Sequence, residues 1–232
     1  MQLLHSDFSS YPPELLAKLS NHDACIWALG TSSIGMTEEE YTKVTYQYAI
    51  EAAKAFGGLK KNSEEGEKKF VFAYLSGART TQDQKDDGNG WFSTPMWAKV
   101  KGMLSFFCLL LFVPFLIRLL FLAGRTEREL AQLTSIHSYS FRPAFIVPLT
   151  LPPPEHRSRY NTPFFQSVGK IIGSFSSSGA VGADVLAKGM IRTCLEGSRG
   201  EIPGWAGKGK EGNQGVFENA EIRRLGEGLA AK

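Results

Sequence analysis

Short, almost continuously apolar runs alternate with amphipathic segments along the first half of the chain. The runs "DACIWALG" (residues 23–30) and "FVFAYLSGA" (residues 70–78) each contain a glycine at or near the end. Runs of this length and composition are typical of strands that are buried on both faces of a parallel sheet. The segment "HSYSFRPAFIVP" (residues 137–148) has the same character, and we predict that it forms a third strand.

Two helices are predicted between these strands. The segment "YPPELLAKLSNH" (residues 11–22) places its leucines on one helix face and its prolines near the first turn. Thr37 and Glu40 have the spacing of a capping box, in which each residue satisfies a backbone N–H group of the other. We therefore predict a long helix from about Glu38 to Phe56.

The last third of the chain contains two further helical patterns and a Gly-rich stretch. We predict an amphipathic helix over residues 182–197, stopped by Gly197, and a terminal helix over residues 216–229. Residues 198–215 are expected to form a Gly-rich surface loop. Strands that alternate with helices predict an α/β fold with a parallel sheet, and 232 residues suit a single domain over residues 1–232.

Residues 103–123 depart from this pattern. They lie between Gly102 and Gly124 and contain only two clearly polar side chains, Ser105 and Arg118. When this run and Gly124 are removed, the flanks join as "WAKVKGRTERELAQL", in which side chains of one helix face recur every three or four positions. The run is therefore predicted to be an apolar helix inserted into a helix that is otherwise complete.

Three interpretations of this run are considered. In the first, the run spans a membrane. Its 21 residues are long enough, and its apolar side chains favour insertion by roughly 5–9 kcal/mol, against a cost of about 3 kcal/mol for Arg118. Alternatively it is a helix buried in the core, or it is a retained intron or a gene-prediction error. A single span would place the predicted second and third strands on opposite sides of a membrane, where they would be unable to pair.

Composition narrows the classes of partner. The net charge is +3 and no long block of like charge occurs, so charge does not indicate a nucleic-acid partner. The three cysteines, Cys25, Cys108 and Cys194, are far apart and form no C-x-x-C motif, which favours a reducing compartment over a disulfide or zinc framework. We predict no metal site. No basic segment followed by an apolar one opens the sequence, so we expect no signal peptide.

The order of these segments resembles the atypical short-chain dehydrogenase/reductases, which include nucleoside-diphosphate-sugar-epimerase-like and NmrA-like proteins. The resemblance rests on "HSDFSSYP", "IWALGT", "FVFAYLSGA", "WAKVKG", "RTERELAQL" and "SFRPAFIVP", and it covers most of residues 1–148 outside the apolar run. It continues more weakly through residues 182–197 and 216–225. It implies a Rossmann-type sheet, NAD or NADP as cofactor, a small carbonyl or hydroxyl compound as substrate, and a cytoplasmic location.

The resemblance also implies cofactor-binding residues in the first 31 positions. Asp7 and Phe8 match the acidic residue and its neighbour beside the adenine. Leu29, Gly30 and Thr31 match the turn at a strand end that passes the nicotinamide ribose. By the resemblance, these positions lie at the carboxyl ends of parallel strands, where open α/β sheets bind ligands.

The implied catalytic residues lie later in the chain. Ser76 matches the catalytic serine, and Lys101 matches the lysine of the Tyr-x-x-x-Lys pair, which also contacts the cofactor. Trp97 occupies the tyrosine position of that pair. Arg142 and Pro143 match the "RP" that follows the family's sixth strand and contributes to the cofactor site.

Two departures from the family pattern weaken the expected activity. The chain begins at what resembles the family's third strand, so the first strand, Gly-rich turn and helix that hold the pyrophosphate are not found, and we expect weak cofactor binding or none. An indole N–H does not replace a tyrosine hydroxyl in proton transfer, so Trp97 predicts impaired catalysis. Tyr74 on the neighbouring strand is a candidate substitute for this hydroxyl.

The predicted fold is therefore an incomplete Rossmann-type sheet with an inserted apolar helix, and the parent activity is that of an oxidoreductase or epimerase-like enzyme. Two other functions are considered. One is a single-pass membrane protein without catalysis, located in the membrane through residues 103–123. The other is a regulator that senses the cofactor. For Gly30 and Gly77 (both at strand ends) the alternative to a ligand site is that each glycine merely ends a strand.

Overall fold

The computed structural model describes residues 3–30, 37–60, 69–77, 123–149, 179–197 and 214–228. In chain order the elements are α1 (Pro13–Leu19), β1 (Ala24–Trp27), α2 (Glu38–Thr42), a π-helical turn (Lys43–Gln47), α3 (Tyr48–Gly57), a 3-10 turn (Gly58–Lys60), β2 (Phe70–Leu75), α4 (helical over 123–132), β3 (Ile136–Arg142), β4 (Ile146–Val147), β5 (Val181–Gly182), α5 (Ala183–Gly197), β6 (Gln214–Glu218) and α6 (Asn219–Glu227).

Four strands form one sheet in the order β1-β2-β3-β6, and every neighbouring pair is parallel. The register places Ala24 opposite Val71, Val71 opposite His137, and Ser138 opposite Gln214. The apolar runs therefore form the parallel strands that their composition predicts, and the α/β class is confirmed.

One face of this sheet packs against α3. Phe70 and Phe72 of β2 point to this face, where Ala49, Ala52 and Ala53 of α3 are fully buried. Alanines at these positions let the helix backbone approach the aromatic rings closely. Burial of a phenylalanine side chain contributes about 1.5–3 kcal/mol to folding, and β2 supplies two such side chains to this core.

The other face packs against α5 and α6. Val71 and Ala73, which alternate with the phenylalanines along β2, contact a cluster that includes Leu186 and Met190 of α5 and Ile222 of α6. Because side chains alternate across a strand, a continuous apolar run supplies both faces at once. Helices thus cover both faces of the sheet, as in α/β folds.

The predicted long helix is present but is interrupted by one wider turn. Its capping box is confirmed, since Glu40 N donates to Thr37 Oγ1 at 3.2 Å and Thr37 N donates to Glu40 Oε2 at 2.9 Å. Residues Lys43–Gln47 form a π-helical turn between α2 and α3. A hydrophobic period of 3.6 residues does not reveal such a turn, because it shifts the helix register locally.

The predicted third strand is two strands in the structure, so that boundary was wrong. β3 ends at Arg142, and Ile146–Val147 forms β4, which pairs with β5 in a separate two-stranded parallel sheet. Pro143 has no backbone N–H and therefore ends the ladder with β6. The next N–H, of Ala144, donates to Asn219 Oδ1 at 3.1 Å.

The predicted terminal helix was wrong in its first residues. Gln214–Glu218 forms β6, and α6 begins only at Asn219. Phe217 is 1% exposed and its ring lies 4.9 Å from that of Phe141 on β3. Pairing with β3 thus outweighs the helical pattern. The last two residues of the predicted loop 198–215 belong to β6. The rest of that loop, residues 198–213, lies outside the described residues.

The predicted inserted helix, residues 103–123, lies outside the described residues except for residue 123. In α4, which follows the run, Thr126 and Leu130 are both 0% exposed, as expected for the predicted apolar face. Within the described ranges, none of the helices has the length and apolar content needed to cross a bilayer.

Candidate functional site

The carboxyl ends of β1, β2 and β3 lie along one edge of the sheet, because the three strands are parallel and adjacent. Gly30, Ser76 and Pro143 each follow one of these strands within three residues. Ser76 N donates to Phe141 O at 2.8 Å, so the pairing of β2 with β3 extends to the serine. The fold therefore brings the predicted residues of three strand ends to a common edge.

Gly30 and Gly77 lie at this edge beside space that no described atom occupies. Among the described residues, no atom lies within 4 Å of the position that a Cβ would take at either glycine. Neither glycine has a positive φ, whereas Gly228 does, at 74°. Backbone conformation therefore does not require glycine at these two strand ends.

Phe8 fixes the N-terminal segment beside the end of β1. Its ring lies 5.9 Å from that of Trp27, the last residue of β1, and 5.7 Å from that of Tyr48. The neighbouring Asp7 is exposed, and hydrogen bonds from Ser9 and Ser10 hold the pKa of its carboxyl below the usual value. An ionised acceptor is thus present at this position. Residues 3–8 do not form the strand that the resemblance implies.

Arg142 is engaged in a buried ion cluster at the same edge. Its Nε donates to Glu127 Oε1 at 3.0 Å, its Nη2 donates to Glu127 Oε2, and its Nη1 donates to Glu218 Oε1 at 3.2 Å. Glu127 is 1% exposed. The guanidinium is therefore directed towards α4 and β6, and it joins the ends of β3 and β6 to the helix.

Sequence reasoning did not identify Glu127 or Asn219. Glu127 lies in "RTEREL", where charged residues of both signs resemble an exposed helix, and its position next to Thr126 on the buried face was the available signal. Asn219, the first residue of α6, is 3% exposed, and its side chain accepts the hydrogen bond from the backbone N–H of Ala144. Both residues fix the segment around Pro143.

Tyr74 lies in the core. It is 3% exposed, its hydroxyl donates to Thr45 O at 3.4 Å, and burial raises its pKa. A tyrosine that transfers protons in catalysis needs a lowered pKa and access to substrate. The position of Tyr74 therefore speaks against the substitute role that was considered for its hydroxyl.

The remaining predicted site residues are not all described. Thr31, Trp97 and Lys101 lie outside the described residues, so the geometry of the proposed Ser76, Trp97 and Lys101 group stays a prediction. Burial raises the pKa of the Cys25 thiol to about 12 and that of Cys194 to about 11, so neither is activated as a nucleophile. In the part of the chain that the structure describes, no group of three or more His, Cys, Asp or Glu side chains is placed to hold a metal ion.

Comparison with known proteins gives a partial similarity. No protein-family model matches the chain. Over 74 residues it is 35% identical to "Leucinostatins biosynthesis cluster protein T" of Purpureocillium lilacinum. The match covers 32% of this chain and 25% of that protein, so the chain spans about a quarter of the length of this relative.

Proposed function

We propose that this chain is part of a Rossmann-type NAD(P)-binding domain of the atypical short-chain dehydrogenase/reductase type. In this proposal the nicotinamide half of the cofactor lies across the ends of β1 and β2, beside Gly30 and Gly77. The supporting observation is that the two glycines follow the carboxyl ends of adjacent parallel strands, and that no described atom lies within 4 Å of the position that a Cβ would take at either. Glycine lets a ligand approach the backbone more closely than any other residue.

The order of the sheet adds support to this proposal. Four adjacent parallel strands present their carboxyl ends on one edge, where open α/β sheets bind ligands. Asp7 supplies an ionised acceptor beside the end of β1, in the position that the resemblance assigns to the adenine end. The cluster of Arg142, Glu127 and Glu218 fixes the end of β3 and would keep this edge rigid.

The parent chemistry is hydride transfer or epimerisation on a small carbonyl or hydroxyl compound. The name of the partial relative refers to a biosynthesis cluster, which is compatible with a small-molecule substrate. Trp97 at the tyrosine position removes the proton-transferring hydroxyl, so we expect little or no turnover. Trp97 thus favours a second candidate, a regulator that senses NAD(P) without converting it.

Binding is tested by saturation-transfer NMR on the whole chain with NAD and NADP, because this method detects weak complexes. We expect a Kd on the order of 1 mM, or about −4 kcal/mol, with nicotinamide protons that receive the strongest saturation. Gly77→Val should abolish the signal without lowering the melting temperature, since among the described residues a Cβ there meets no atom within 4 Å.

Gly58→Val is the matched control. At Gly58 too, no described atom lies within 4 Å of the position that a Cβ would take, but this glycine follows α3 and precedes β2, so it does not follow the carboxyl end of a strand. Its variant should bind the nucleotide as the unmodified chain does. Equal binding by the Gly77→Val variant, or no binding of either nucleotide by the unmodified chain, would refute the proposal. Turnover of the cofactor with a carbonyl substrate would favour the enzyme, whereas binding without turnover would favour the regulator.

A further inference from the structure

We draw no further inference here: the strongest candidate, the exposed apolar surface of Ile191 and Leu195 on α5, the helix that packs over the edge strand β1, carries none, because nothing in the part of the chain that the structure describes shows what covers it.

Discussion

Arg142 links three elements that are distant in the sequence, β3, α4 and β6, through Glu127 and Glu218. The side chain of Glu127 is fully buried and that of Arg142 is 12% exposed, so both charges are largely removed from water. Burial of two opposite charges contributes little net stability, because desolvation offsets their attraction. Removal of one partner is costly, since it leaves the other charge buried without this counter-ion.

We therefore expect Arg142→Leu to lower the free energy of unfolding by about 3–5 kcal/mol. Arg223→Leu is the control, because Arg223 and Glu227 form a pair at 3.4 Å whose side chains are each 36% exposed, and it should cost less than about 1 kcal/mol. Urea denaturation followed by circular dichroism measures both values. Similar losses in the two variants would show that Glu127 is not held as a buried charge.

Single residues were predictable where their role follows from a position along one strand. Gly30, Ser76 and Gly77 were placed at strand ends because a run of apolar residues stops there. Glu127 and Asn219 were not predicted, because each is buried by a partner 15 or 75 residues away in the chain. A local pattern of charges does not show which carboxylate will meet Arg142.

Elements were predictable in proportion to their length and to the strength of their pattern. β1, β2, α3 and α5 follow directly from apolar runs and helical periodicity. β4 and β5 have two residues each, and β6 follows a Gly-rich stretch, so pairing with partner strands decides these elements. Contacts between elements, such as the close approach of α5 and α6, likewise cannot be predicted from a local sequence pattern.

That close approach depends on Gly226. A Cβ at this position would collide with the backbone oxygen of Val185 in α5, so Gly226→Ala forces the helices apart. We expect a loss of about 1–3 kcal/mol, as for other overpacked contacts. Gly58→Ala, at a φ of −72° and without a described atom within 4 Å, should be neutral or stabilising by up to about 1 kcal/mol. Thermal denaturation compares the two; equal stability would mean that α6 shifts freely on α5.

At the scale of the whole molecule, the pairing of β2 with β3 constrains the apolar segment between them. The two strands pair over six residues, from Phe70 with Ile136 to Leu75 with Phe141. A single membrane crossing by residues 103–123 would place these strands on opposite sides of the bilayer, so the sheet and that topology exclude each other.

The class of fold was predictable from alternating strands and helices, but the strand order β1-β2-β3-β6 depends on contacts that no local pattern carries.

Removal of residues 103–124 should therefore leave the sheet intact and increase the fraction of chain in the supernatant after centrifugation. The removed segment has 22 residues, about six turns of helix, so Thr126 and Leu130 return to nearly the same face, where both are fully buried. Large exposed apolar surfaces drive aggregation or membrane adsorption, and we expect a larger fraction of the full chain than of the deletion variant in the pellet or membrane fraction. A variant with 22 Gly and Ser residues in place of the segment separates apolar character from length, and should be as soluble as the deletion. Loss of a cooperative melting transition in both variants would mean instead that Leu109, Phe112 and Leu116 belong to the core that β2 and β3 share.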